Sequence, residues 1–433
     1  MDDDERRIVT FTAAAHGLVH TYELSIPILL TVWIAEFSTT AAVLGLVVTV
    51  GYGLFGVGAL PGGVLVDRFG SKPLILACLV GMAVAFVAAG LAPTLGMLAV
   101  AIAAWGLTAS VYHPAGLALL SNAVERRGIA LGYHGIGGNL GIALGPLATA
   151  LLLLAFDWRV VAGLLALPAL AVAAYGVTVD VEGALPDAPA DGPGEPVEAD
   201  GGGEVDDESS GSSSESGEIS PAAFVADTRA LLTVGFVLVL GFVTLSGLYY
   251  RTFLTFLPDL LGDAIGGLVD LQLVDPEGPL AEEFDPARYL YVAILTVGVA
   301  GQYLGGRIAD RIQPERGLVY VMSVLAGLAL LFVPASGTIP TFLAVSLLLG
   351  VALFTVQPLS QATVAAYSDP DARGLSFGYT YLAIFGVGAL GAGIAGTVLT
   401  LAGSRELFIV LAVLAGLGAL VALAVVRYGR RRG

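Results

Sequence analysis

Charged side chains are scarce in this chain of 433 residues, where Asp, Glu, Lys and Arg together make up 13%. A water-soluble globule carries about 25%, so the shortage excludes an ordinary soluble enzyme or binding module. Lysine is almost missing: Lys72 is the only one, and the formal net charge is −17. Such an acidic balance excludes a phosphate-backbone partner, so no nucleic acid is expected. Cysteine is also single, which excludes an internal disulfide; Cys78 lies in an apolar run and is expected to pack. The sequence contains no phosphate-binding glycine-rich loop, no zinc-ligand spacing and no nucleophile–base motif. Neither a cofactor nor a resident metal is therefore expected, and any ATP-driven step would need another chain.

What the sequence has in abundance is apolar length. The hydrophobic fraction is 56%, and the 58 glycines favour close helix packing in lipid. Runs of roughly 20 residues suffice to cross a bilayer. They predict an all-α membrane protein of twelve spans at 8–34, 40–66, 73–92, 96–121, 129–155, 159–179, 230–257, 289–311, 316–335, 339–367, 374–401 and 405–427. Asp2-Asp3-Asp4-Glu5 is acidic where a cleavable signal is basic, so the first run is expected to remain as a span. Fifteen of the 19 basic residues then fall on the side of the N-terminus, against Arg159, Arg288 and Arg405 on the other and Arg251 within a span. Both termini are thus expected in the cytoplasm of a cell carrying this protein in its plasma membrane.

Polar stretches divide the chain. Residues 1–179 form one expected six-helix bundle and 223–433 a second. Between them, 180–222 holds thirteen acids and no base, the composition of a disordered cytoplasmic linker or, less plainly, a regulatory tail. A second acidic insert, about 258–288, is expected as a solvated extracellular surface.

The halves are related. Gly62-Gly63-Val64-Leu65-Val66-Asp67-Arg68 recurs as Gly305-Gly306-Arg307-Ile308-Ala309-Asp310-Arg311. Gly106 to Pro114 matches Gly350 to Pro358, and Gly132-Tyr133 matches Gly378-Tyr379. A pseudo-symmetric pair of bundles around a central site usually moves solutes.

Gly63-x-x-x-Asp67-Arg68-x-Gly70-Ser71-Lys72 resembles the loop 2–3 signature of the major facilitator superfamily, and Gly306-x-x-x-Asp310-Arg311 its weaker second copy. The resemblance implies that Asp67 and Asp310, each pairing with an arginine, lock the cytoplasmic side. Gly132, Gly141, Gly145 and Pro146 in span 5 resemble the superfamily's antiporter signature, with its final glycine pair replaced by Thr149-Ala150. Within the superfamily the strings Ser110-Val111-Tyr112-His113-Pro114 and Gly137-Gly138-Asn139-Leu140-Gly141 resemble the fosmidomycin-resistance type of exporter. Acid-rich, lysine-poor composition resembles proteins of salt-in halophilic archaea, where high salt screens self-repulsion.

Ionisable groups inside spans are costly and usually functional. His16, His20 and Glu23 fall on one face of span 1, and the fold analogy places spans 1, 4, 7 and 10 around a cavity, which adds His113. Glu23 is the expected proton site, with His16, His20 and His113 as relay or substrate-binding partners; a purely structural Glu–His pair is the alternative. His134 is expected to be structural. Arg251 binds an anionic group, pairs with Glu23 or reaches the outer surface. Gln357, Gln361 and Asn139 complete the candidate cavity. The expected function is proton-coupled export of a small polar or amphiphilic compound by a monomer. Alternatives are H⁺- or Na⁺-coupled uptake, or a sensor that docks partners through its linker.

Overall fold

The computed structural model describes residues 1–181, 226, 228–268, 285–368 and 373–430, with the side chains of positions 67, 267, 268, 373, 374 and 377 left aside. Among the described residues, twelve helices are long and apolar enough to cross a membrane. They are span 1 (3–36), span 2 (41–66), span 3 (71–90), span 4 (95–123), span 5 (127–152), span 6 (158–177), span 7 (234–254), span 8 (286–309), span 9 (314–335), span 10 (339–367), span 11 (378–401) and span 12 (404–429). The chain is an all-α, multi-pass membrane protein.

Local chemistry sets the ends of these helices. Asp2 and Glu5 form a reciprocal capping box at the start of span 1. Glu5 also accepts from the backbone N–H of Glu125 at 2.7 Å, which pins that end to the turn between spans 4 and 5. Thr40, Thr94 and Thr233 cap spans 2, 4 and 7 through their hydroxyls. The single lysine closes a helix end: Lys72 Nζ donates to the carbonyls of Val179 at 2.6 Å and Val177 at 3.2 Å. Gly70 has a φ of 78°, so the turn into span 3 needs glycine at that position.

The duplication is visible in the packing. A side chain at Gly62 would strike the ring of Pro114, and one at Gly305 would strike the carbonyl of Thr355 and the ring of Pro358. The glycine that matters in each repeated turn is therefore the first of the pair; Gly63 and Gly306 have open space beside them. Span 5 divides in the same way. A side chain at Gly141 would collide with the carbonyl of Gly17, and one at Gly145 with Thr21, both on span 1, while Gly132 faces open space. Close approach thus explains Gly141 and Gly145 of the antiporter-like string but not Gly132.

The two halves meet along spans 2 and 11. A side chain at Gly45 would meet Ala392, one at Gly396 would meet Ala41, and one at Gly56 would meet Phe385 and Gly386. Thr49 Oγ1 donates to the Ala389 carbonyl at 3.1 Å, and the Ala42 N–H donates to Thr400 Oγ1 at 2.9 Å. Opposite this seam, spans 5 and 8 are in contact. Span 11 is interrupted by a π-helical turn, Leu382–Val387, a distortion that proteins often place at functional sites.

The linker at 180–222 lies outside the described residues beyond 181. In the acidic insert expected at about 258–288, the described part forms a helix, Leu257–Leu268, whose Leu257, Leu260 and Leu261 are buried, so it is not wholly a solvated loop. Asp259 sits on it, and its carboxyl is pushed up to about 7 by burial first, then by Asp263 and Asp285, with Arg288 pulling the other way.

Replacing Gly141 by valine forces spans 1 and 5 apart, an overpacking cost of about 1–3 kcal/mol. Gly132→Ala, with open space to fill, should stay within about 0.5 kcal/mol. Thermal unfolding in detergent separates the two; equal loss would place the span 1–5 contact elsewhere. For Asp259, a folded-state pKa raised from 3.8 to about 7 means stability that is complete below 3.8 and is lost as the pH climbs through 7. Asp259→Asn should therefore raise the melting temperature over wild type at about pH 8 and leave it nearly unchanged at about pH 4. A gain independent of pH would show that Asp259 is not the group that titrates.

Candidate functional site

The most costly groups in the molecule meet at its centre. Glu23 on span 1 and Arg251 on span 7 are each 1% exposed, and the Arg251 guanidinium donates to Glu23 Oε1. One charge comes from each half. An isolated charge there would be prohibitive, and pairing compensates it only with further polar contacts. Those contacts are supplied by span 2: the guanidinium carbon lies 3.8 Å from the centre of the Tyr52 ring, and Tyr52 OH donates to the Glu23 carbonyl at 3.1 Å. Arg251 Nε has no hydrogen-bond partner among the described residues.

The second carboxylate oxygen faces the histidines. His20 Nδ1 lies 2.6 Å from Glu23 Oε2, and His20 Nε2 lies 3.1 Å from His16 Nε2. His16 Nδ1 in turn lies 2.8 Å from the carbonyl oxygen of His134. The spacing of His16, His20 and Glu23 along one helix produces this line directly. His113 enters from span 4, where a break at Ser110–Val111 separates the helix Leu95–Ala109 from Tyr112–Ala123. Its ring stands edge-on to His16 at 5.3 Å and stacks on Tyr381 at 5.5 Å and on Phe385 of the π turn at 6.0 Å.

The structure thus brings together Glu23, His16, His20, His113 and Arg251. His134 backs the line: its ring stacks on His16 at 3.9 Å and its Nε2 lies 3.2 Å from Tyr112 OH. Arg251 turns inward and does not reach the outer surface. Gln357 and Gln361 are not brought to the cluster. Both are exposed, and Gln357 Oε1 accepts from Gln302 Nε2 of span 8 at 2.9 Å. Asn139 is half-buried on span 5, with no hydrogen bond to the pair or the histidines. In the repeated turns, Arg68 lies over the Phe69 ring at 5.3 Å. Asp310 and Arg311 make backbone bonds at the end of span 8, and neither forms an ion pair among the described residues. The Asp67 side chain lies outside the description. Sequence reasoning overlooked Tyr52, Tyr112 and Phe385; all are uncharged, and only the position of Tyr112 beside His113 hinted at a role.

A family model of the Major Facilitator Superfamily matches residues 11–269 and 276–433. The chain belongs to the major facilitator superfamily. It is similar to an uncharacterised MFS-type transporter of Mycobacterium tuberculosis, 41% identical over 104 residues that cover 23% of this chain and 24% of the other. It is also similar to the puromycin resistance protein of Streptomyces alboniger, 36% identical over 108 residues covering 24% and 22%. The chain thus matches under a quarter of the length of these curated relatives. Among solved structures, a bacterial homologue of the human lysosomal transporter Spinster, inward-facing and unoccupied, has a TM-score of 0.74 at 14% identity, covering 99% of this chain and 98% of that one. The nucleoside transporter NupG gives 0.69 at 13% identity, covering 97% and 98%. At such identities they share the fold. The central ion pair joins the two halves that the superfamily fold packs together.

Arg251→Ala leaves Glu23 buried without its cation and should cost about 3–5 kcal/mol, whereas an apolar double replacement, Glu23→Leu with Arg251→Met, should recover most of that. Thermal unfolding of the three proteins in detergent measures both effects. A single variant as stable as wild type would show that the pair does not exist in solution.

Proposed function

We propose that this transporter exports a small polar or amphiphilic compound across the plasma membrane in exchange for protons, as a monomer working by alternating access. The observation that carries the reading is the Glu23–Arg251 pair, buried between the halves. Rocking the halves apart must separate two charges in a buried site. A cargo group that takes Arg251, or a proton that neutralises Glu23, removes that penalty, so movement becomes conditional on what is bound. The glycine contacts of spans 2 and 11 supply a smooth seam for the motion.

Several features support the finer parts. The match to a puromycin resistance protein favours efflux, as does the antiporter-like string in span 5, in which Gly141 and Gly145 make real contacts with span 1. Ser110 to Pro114 and Gly137 to Gly141 favour the fosmidomycin-resistance type. The excess of basic residues on the N-terminal side favours cytoplasmic termini, and a single lysine against 36 acids favours a halophilic host. In this reading the repeated turns at Asp67-Arg68 and Asp310-Arg311 act as cytoplasmic gates.

The test is a pair of measurements on a drug-sensitive host carrying the gene. Wild type should lower susceptibility to puromycin or fosmidomycin several-fold, and the compound should dissipate a preset pH gradient in everted vesicles. Glu23→Gln should abolish both effects while the protein still reaches the membrane. Transport that follows a sodium gradient and ignores pH, or a Glu23→Gln variant that still dissipates the gradient, would overturn the proton-exchange reading.

A further inference from the structure

The three histidines nearest the pair carry a second, independent message. One ring nitrogen from each of His16, His20 and His113 lies within 4.8 Å of the others. The hydrogen bonds decide which atoms are free. A carbonyl only accepts, so His16 Nδ1, 2.8 Å from the His134 oxygen, carries a hydrogen, which leaves a lone pair on Nε2 of the neutral ring. Glu23 is held by Arg251 on its other oxygen, so His20 Nδ1 donates to the carboxylate, and in the neutral ring Nε2 then carries a lone pair. These two Nε2 atoms face each other at 3.1 Å. Two lone pairs do not hold such a contact; a cation between them does.

A bridging proton would serve His16 and His20 but would do nothing for the third ring. His113 is 8% exposed, and its Nε2 has no hydrogen-bond partner among the described residues. A metal ion would engage all three rings, with the widest nitrogen pair, now up to 4.8 Å apart, closing to about 3.3 Å. With metal–nitrogen bonds of about 2.0–2.1 Å, two tetrahedral ligands stand about 3.3 Å apart, close to the spacing of His16 and His20. The outer partners also suit a metal: a ligating imidazole donates its other N–H to a carboxylate or a backbone carbonyl, as His20 and His16 do here.

We propose that His16, His20 and His113 form a three-imidazole site for a divalent transition-metal ion of the zinc, cobalt or nickel class, with a fourth position left for water or an anionic ligand. Magnesium and calcium do not fit, because they take oxygen ligands; neutral imidazoles select the later transition metals. The three ligands come from spans 1 and 4 of one half, and Tyr381 and Phe385 of span 11 stack on the His113 ring from the other. The site does not rest on the proton-exchange reading, since metal binding is measured without cargo or flux.

All four histidines of the chain belong to this cluster, so protein purified through a tag without histidine gives a clean signal. Cobalt(II) added to wild type should develop the visible ligand-field bands of a four-coordinate ion at one equivalent per chain. Zinc should bleach those bands and raise the melting temperature. His113→Gln and His20→Gln should each weaken binding at least tenfold and lose the zinc shift. His134→Ala, which removes a ring but keeps its carbonyl, should retain both. Size-exclusion elution matching wild type shows that each variant is folded. If either ligand variant fails that check, protection of wild type by zinc against diethylpyrocarbonate at three histidines replaces it. Absence of the bands in wild type, cobalt bound equally by His113→Gln, or no protection by zinc would overturn the proposal.

Discussion

The buried contact between Glu23 and Arg251 is the constraint around which the rest is arranged. Removing two charges from water costs several kcal/mol per ion, and their attraction repays this only with good geometry and further polar support. Tyr52 supplies that support from span 2 through its ring and its hydroxyl. The π turn of span 11 places Phe385 near the guanidinium, 6.0 Å from the ring centre. Stability alone is a weak reason for such a pair, because apolar residues of similar volume recover most of what it contributes. It joins the two halves through one charge from each.

Close backbone approach is what lets the halves present these side chains to each other. Gly45, Gly56 and Gly396 bring spans 2 and 11 together with little side-chain interdigitation. Gly137, Gly141 and Gly145 do the same between spans 1 and 5, and this packing fixes the rotation of span 1 that points Glu23 and the histidines inward. The repeated Gly62–Pro114 and Gly305–Pro358 contacts tie span 2 to span 4 and span 8 to span 10 by one device used twice. The scaffold is symmetric, but the chemistry is not: every histidine and Glu23 belong to the first half, and Arg251 to the second.

Much of this was legible in the sequence. Twelve spans followed from apolar length, and the duplication from two glycine-acid-arginine turns, because both signals are local. The grouping of His16, His20 and Glu23 was equally plain, since helical spacing fixes which residues share a face. What escaped notice was long-range or uncharged. Gly62 and Gly63 look alike in one dimension, and only the placement of Pro114 shows which one is crowded. Tyr52 reads as one aromatic residue among many until Arg251 arrives over its ring. The helix Leu257–Leu268 was masked by the acids around it, whose burial depends on a neighbour that local pattern does not show. Gln357 and Gln361 shared a plausible helix face, yet Gln357 met Gln302 instead of the cavity.

Glu23 is shared, and the sharing links the histidines to the clasp between the halves. One carboxylate oxygen is held by Arg251 and the other by His20. A cation on His20 Nε2 makes the Nδ1–H of the same ring a stronger donor, which draws carboxylate charge toward His20 and away from Arg251. The converse must hold by the same free energy: releasing Glu23 from Arg251 would leave it freer to polarise His20. Occupancy of the histidines and closure of the pair are therefore two readings of one carboxylate. The asymmetric cluster in the first half reaches the second half through that side chain and through the stacking of His113 on Tyr381 and Phe385.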